Sequence, residues 1–159
     1  MLQKYMTVFF ISMVPLIELR GAIPYSTVMG LPLFQSYLVA IIGNMLPVPI
    51  IYLFARKVLE WGADKPVIGG FFSWCLEKGK RGGEKLQAKA GQGLFIALLL
   101  FVGVPLPGTG AWTGTLAASL LDIDFKSSIL AVMGGVLMAG VIMGLASAGL
   151  LGALRSMIF

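Results

Sequence analysis

Apolar residues run through this chain in long stretches. Residues 21–55, 90–121 and 127–154 contain no charged side chain. A bilayer core is about 30 Å thick and takes roughly 20 helical residues to cross. Residues 35–56 match one crossing, and residues 126–154 match a second with length to spare for tilt. The stretch 90–121 differs, because its middle reads Gly103-Val-Pro-Leu-Pro-Gly-Thr-Gly110. Two prolines and three glycines in eight residues break a helix there. Each flanking arm keeps about 12–15 residues, near 20 Å at the helical rise, which is too short to span. Residues 5–33 repeat the plan around Pro15-Leu-Ile-Glu-Leu-Arg-Gly-Ala-Ile-Pro24. Non-helical backbone at membrane depth survives only inside protein or against a water-filled cavity. The pattern therefore predicts re-entrant hairpins at 5–33 and 91–121, their broken tips meeting inside the membrane. Kinked full-length helices are the alternative; arm length separates the two readings, and charge does not.

The halves look alike. Pro15-Leu16 is matched by Pro105-Leu106, and Phe34 to Gly43 by Phe125 to Gly134, with Phe, Ser, Ala and Gly shared. Chance similarity between apolar segments is the alternative. The expected fold is an all-α integral membrane protein of two inverted repeats, each a re-entrant hairpin followed by one transmembrane helix. Repeat 1 is 1–56, with its long helix at 35–56. A basic connector fills 57–90. Repeat 2 is 91–154, with its long helix at 126–154. All 159 residues form one membrane domain.

Composition agrees with lipid as the main solvent. The 159 residues are 58% hydrophobic and only 12% charged, with a mean hydropathy of +0.93. A soluble domain this small could not hide that much apolar surface. The chain has no histidine and one cysteine, Cys75. Histidine-dependent catalysis and cysteine metal sites are thereby excluded, and no cofactor, metal or enzymatic activity is expected. Carboxylates are left to carry protons. Eight of the twelve basic residues fall between Arg56 and Lys89. The positive-inside rule puts that connector in the cytoplasm and both termini outside. The N-terminal segment resembles a signal peptide, but Pro15, Glu18 and Arg20 stand where a small-residue cleavage site would be, so it is read as retained. Val67 to Leu76 reads as an interfacial segment, and Glu77/Arg81 and Lys80/Glu84 as solvated helix pairs. The connector's base-stacking aromatics face the membrane, so no nucleic-acid partner is expected.

Glu18 and Arg20 are the ionisable residues that this layout puts at depth. A charge there costs at least about 2.5 kcal/mol on insertion scales, which points to function. An ion pair that merely ties the tip is the structural alternative. The second arm of each hairpin starts at the tip, so its amides and positive dipole end point inward. In the first half Arg20 and Gly21 precede that arm and Pro24 lies just beyond. In the second half Thr109 is the expected N-cap, with open N–H groups at Gly108 and Gly110. Pro105, Pro107, Trp112 and Thr113 complete the expected site. Two helix N-termini and one arginine suit an anion such as a phosphate or carboxylate, with Glu18 loading and releasing a proton. A cationic drug would meet Glu18 with Trp112 and Tyr25 as walls. Asp122 and Asp124 are read as an N-capping turn or a proton relay. The rows Gly140-Gly144-Ala148-Gly152 and Ala131-Gly135-Ala139 offer close packing, either within the chain or across a homodimer.

Pro15-Leu-Ile-Glu-Leu-Arg-Gly-Ala-Ile-Pro24 and Pro105-Leu-Pro-Gly-Thr-Gly-Ala-Trp112 together resemble the small multidrug export protein family of bacteria and archaea, over nearly the whole chain. That family is similar to the wider DedA/VTT membrane group. The resemblance implies opposed re-entrant hairpins, roles for Glu18, Arg20 and the 105–110 turn, and lipid-phosphate cargo. DedA-type proteins carry arginine near the second hairpin; this chain has none between Lys89 and Asp122. The reading that follows is a small proton-coupled secondary transporter in a prokaryotic plasma membrane. It is expected to be multi-pass and homodimeric, surrounded by membrane lipids, and to move an anionic amphiphile such as a polyprenyl-phosphate carrier. Export of small cationic drugs and a non-transporting scaffold are the rival readings.

Overall fold

The computed structural model describes residues 1–15, 17–74, 76–77 and 93–158. Cys75, the expected pairs to Arg81 and Glu84, and the first two residues of the expected second hairpin lie outside the described residues. The helices with both ends described are, in order, α1 Leu2–Met13, α2 Glu18–Val28, α3 Leu33–Met45, α4 Pro47–Ala63, α5 Gly93–Gly103, α6 Ala111–Leu120 and α7 Phe125–Ile158, and residues 69–74 are helical as well.

Leu46, between α3 and α4, keeps helical angles of −58° and −46°. Pro47 falls in the first turn of α4, where no N–H is needed. The axis therefore runs on from Leu33 to Ala63, 31 residues that include an 18-residue window with a mean hydropathy of 2.1. Phe125–Gly149 in α7 is a second apolar run, of 25 residues with an 18-residue window at 2.4. Both are long enough for a bilayer. Their outward faces carry exposed Ile42, Ile50, Leu53, Phe54, Leu130, Val141 and Leu145. So much contiguous apolar surface suits lipid rather than water.

The four shorter helices come as two pairs, each interrupted by a break. Val14 is extended (φ −71°, ψ 129°), as a residue before proline must be. Residues 104–110 form the second break, with Gly108 at φ +81° and Gly110 at φ +146°. In both halves the first short helix packs on its own long helix, α1 on α3 and α5 on α7. The second short helix packs on the long helix of the other half, α2 on α7 and α6 on α4.

The crossings correspond in detail. A Cβ at Gly43 would land on Ser12 Oγ and 2.6 Å from the Phe9 carbonyl oxygen; one at Gly135 would lie 2.6 Å from Val102 Cβ and 2.7 Å from the Leu99 carbonyl oxygen. The turns after α2 and α6 also match. Leu31 N donates to Ser26 O, and Ile123 N to Ala118 O, each at 3.0 Å. Gly30 (φ +69°) and Asp122 (φ +54°) hold the left-handed position in these turns. Gly30/Asp122, Gly43/Gly135 and the fully buried Ser36/Ser128 are all 92 residues apart. This corrects the pairing of Gly43 with Gly134. Matching Phe34 with Phe125 aligned a ring that is 72% exposed with one packed edge-on against Tyr52. Caps and backbone crossings set the register instead.

The small-residue rows pack within the chain as far as Gly144, while Gly152 has nothing within 4 Å. Gly140 sits against the Tyr37 ring, Gly144 against Leu33, and Gly135 against α5. Gly43→Ala or Gly135→Ala is expected to lower unfolding stability in detergent by about 1–3 kcal/mol through overpacking. Gly149→Ala, with nothing within 4 Å of the new methyl, serves as a control with an unchanged melt. An equal melt for all three would refute the crossing.

Asp124 caps α7, its Oδ2 accepting from Ser127 N at 3.0 Å. That hydrogen bond holds its carboxyl below the usual carboxylate range. A depressed pKa gives stability that is present above the unfolded value and is lost as pH falls through the folded value. The acid-side decline in α7 stability should therefore be shallower in Asp124→Asn, read by circular dichroism between neutral and acidic pH. An unchanged acid profile would remove Asp124 from the account.

Candidate functional site

The two breaks meet, and each supplies what the other lacks. A helix end leaves backbone groups without intrahelical partners, carbonyls at the C-terminus and amides at the N-terminus. In the second break both ends are left open, because Pro105 and Pro107 cannot continue α5 and Gly110 starts α6 with no side-chain cap. Thr109 is therefore not the N-cap that the sequence predicts. Its Oγ1 turns back, 3.0 Å from Val104 O and 2.9 Å from Leu106 O.

Glu18 closes one end. It is 4% exposed and sits in the first turn of α2 at φ +51°, a conformation rarely adopted by a residue with a side chain. Its carboxylate accepts from Ala111 N (Oε2, 3.1 Å) and from Trp112 N (Oε1, 2.9 Å). The acid of the first half thus caps the positive end of a helix in the second. The close approach needs Gly110, since a Cβ there would fall on the carboxylate oxygens.

Arg20 closes the other end. Nη1 donates to Leu106 O (2.8 Å) and Thr109 O (2.5 Å). Nη2 donates to Val102 O (3.0 Å), Val104 O (3.2 Å) and Thr109 Oγ1 (2.9 Å). A planar guanidinium fork can meet several acceptors at once, and a positive charge suits the carbonyl end of α5. Glu18 and Arg20 make no ion pair with each other. Each reaches across to the opposite break.

This changes two expectations. The amides at the start of α6 are not open, because Glu18 occupies them. Arg20 and Gly21 do not precede the second arm of the first half; α2 begins at Glu18, so both lie inside it. Pro24 lies inside α2 as well, and a Cβ at Gly21 would strike Ile17. The structure brings Glu18, Arg20, Thr109, Gly110 and Trp112 together. Trp112 Nε1 also donates to Met13 O at 3.2 Å, tying α6 to the end of α1. Thr113 Oγ1 reaches only Gly110 O in its own turn, at 3.4 Å. Pro105 shapes the break, and Pro107 and Gly108 lie on its exposed side.

Sequence reasoning missed the backbone acceptors at Val102, Val104 and Leu106, which leave no trace in residue type. It also missed three buried polar atoms without partners: Ser36 Oγ, Asn44 Oδ1 and Thr115 Oγ1. Asn44 was findable, as an amide in a charge-free apolar helix. Nearer the connector, Arg56 pairs with Asp122 and, at 3.2 Å, with Glu60. These residues line a cavity of about 350 Å³ with Ser73, Glu77 and Ser119.

Two long apolar helices, with paired broken helices that share one acid and one guanidinium, have the build of a helical membrane protein. The family model described as "Putative small multi-drug export protein" matches residues 18–142, from Glu18 through both breaks and into α7. The chain belongs to that family of export proteins, which is not an enzyme family. No curated protein and no solved structure matches the chain.

Proposed function

We propose that this protein is a small proton-coupled secondary transporter that moves an anionic amphiphile, such as a polyprenyl-phosphate lipid carrier, across a prokaryotic plasma membrane. The reading is carried by one observation: a carboxylate, Glu18, sits on the paired N-terminal amides of α6. A site that holds one anion on two backbone amides and a helix dipole fits another anion of similar size, such as a phosphate monoester. Protonated Glu18 accepts hydrogen bonds less strongly and leaves those amides to the substrate. Arg20 keeps the break aligned and adds positive charge beside them.

In this reading the two broken pairs are hairpins that re-enter the membrane from opposite leaflets, as inverted repeats. The 92-residue correspondence of crossings and turns, and the exchange of α2 and α6 between halves, support it. Residues 57–90 face the cytoplasm and both termini face outward, following the positive charge. The transporter works as a homodimer.

The family description favours a second reading, export of small cationic drugs. Proteoliposomes separate the two. One set carries a fluorescent polyprenyl phosphate and the other a lipophilic cation. The anion is expected to move with an inward proton gradient, and Glu18→Gln is expected to abolish the gradient's effect. Movement of the cation alone would overturn the proposal in favour of drug export. Well-folded Glu18→Gln and Arg20→Ala proteins with undiminished flux would place the site elsewhere.

A further inference from the structure

The two seams that the exchanged helices make are alike in geometry and differ in chemistry at two buried places. Helices α4 and α6 run in parallel: Ser119 Oγ donates to Tyr52 O at 2.9 Å, and further along Arg56 pairs with Asp122. Four residues back along each helix stand Val48 and Thr115, and four more bring Asn44 and Ala111. Ala111 N is the amide that Glu18 occupies. One seam therefore leads from the Glu18 carboxylate past Asn44, Thr115 and Ser119 to the 350 Å³ cavity at Arg56, Glu60 and Asp122. All three polar residues between are buried, at 2%, 0% and 3% exposure. At the 92-residue offset the other seam carries Val136 for Asn44, Ile23 for Thr115, Gly144 for Tyr52 and Ala148 for Arg56. It is apolar at the places of Asn44 and Thr115, while Thr27 keeps a hydroxyl at the place of Ser119.

Asn44 Oδ1 and Thr115 Oγ1 have no protein partner. A buried polar atom left without a hydrogen bond is destabilising, and in native proteins such atoms usually bind water. Their apolar counterparts across the molecule indicate that the fold does not need polar groups at these places. We propose that Asn44 and Thr115 hold a file of water molecules that joins Glu18 to the Asp122 cavity, and that this file is the route by which Glu18 gains and loses its proton. The proton passes along hydrogen-bonded water and hydroxyl groups, so no side chain between the ends changes charge. The ionisable groups facing the route are Arg20 beside Glu18, and Tyr52, Arg56, Glu60, Glu77 and Asp122 at its mouth. The inference deepens the proton-coupled reading and rests on it for its purpose, but its geometry is independent of any substrate.

The test needs no substrate. Full-length protein in lipid vesicles is given a rapid acid jump, and the carboxyl stretch that Glu18→Gln removes is followed in the infrared. Thr115→Val and Asn44→Leu keep the shape of the seam and remove its water ligands; both are expected to slow Glu18 protonation by about tenfold or more. Thr115→Ser, which restores the hydroxyl, is expected to recover the wild-type rate. Circular dichroism confirms that the variants fold. Wild-type rates in both apolar variants would overturn the route. Flux that ignores the proton gradient while these rates fall would instead overturn proton coupling and leave the route standing.

Discussion

Arg20→Ala is expected to destabilise the protein by about 3 kcal/mol or more, the largest loss from any single side chain on the break. The guanidinium reaches four carbonyl oxygens and one hydroxyl across the second break. Pro105 and Pro107 prevent those carbonyls from being absorbed into a longer α5. Losing the fork therefore leaves several acceptors stranded together. Arg20→Lys should recover only part of the loss, because an ammonium is a compact charge that cannot span the same set of acceptors. Thermal unfolding in detergent is the measurement, with transport as a second readout. A wild-type melt for Arg20→Ala would show that the break is held by something else.

Gly110→Ala is the second. It places a methyl where the Glu18 carboxylate lies and does so at φ +146°, where a side chain is strained already. The carboxylate must then leave the Ala111 and Trp112 amides. The expected cost is about 1–3 kcal/mol, and under the proposed transport the proton gradient loses its effect on flux. Glu18→Gln should cost a similar amount, since an amide presents one acceptor oxygen where the carboxylate presents two. If both act by emptying the same cap, the double variant is less damaging than the sum, by a coupling of about 0.5–3 kcal/mol. Strict additivity would mean that Gly110 and Glu18 do not share one contact.

Much of this was legible from residue order. Prolines at 15, 105 and 107 and the glycines around Gly108 marked where helices had to stop, because missing N–H groups and free φ angles act locally. Glu18 and Arg20 stood out because charge is scarce in so apolar a chain. The partners of those two residues were not legible. Arg20 bonds to carbonyl oxygens, which every residue owns, and Glu18 bonds to amides 93 and 94 residues away. Their spacing of two puts them on different faces of a regular helix, an ion pair at the tip being the structural alternative, and the break turns each toward the other half. The sequence match between the halves ran at 91 residues, whereas the corresponding turns and crossings lie 92 apart.

The sequence by itself determined the solvent, the helical class, the two long apolar helices and the two interruptions, because these follow from hydropathy and local backbone sterics. Only the tertiary structure decided what fills the interruptions. A stranded helix end takes whichever donor or acceptor the packing of distant segments brings within about 3 Å, and here packing gave the carbonyl end to Arg20 and the amide end to Glu18.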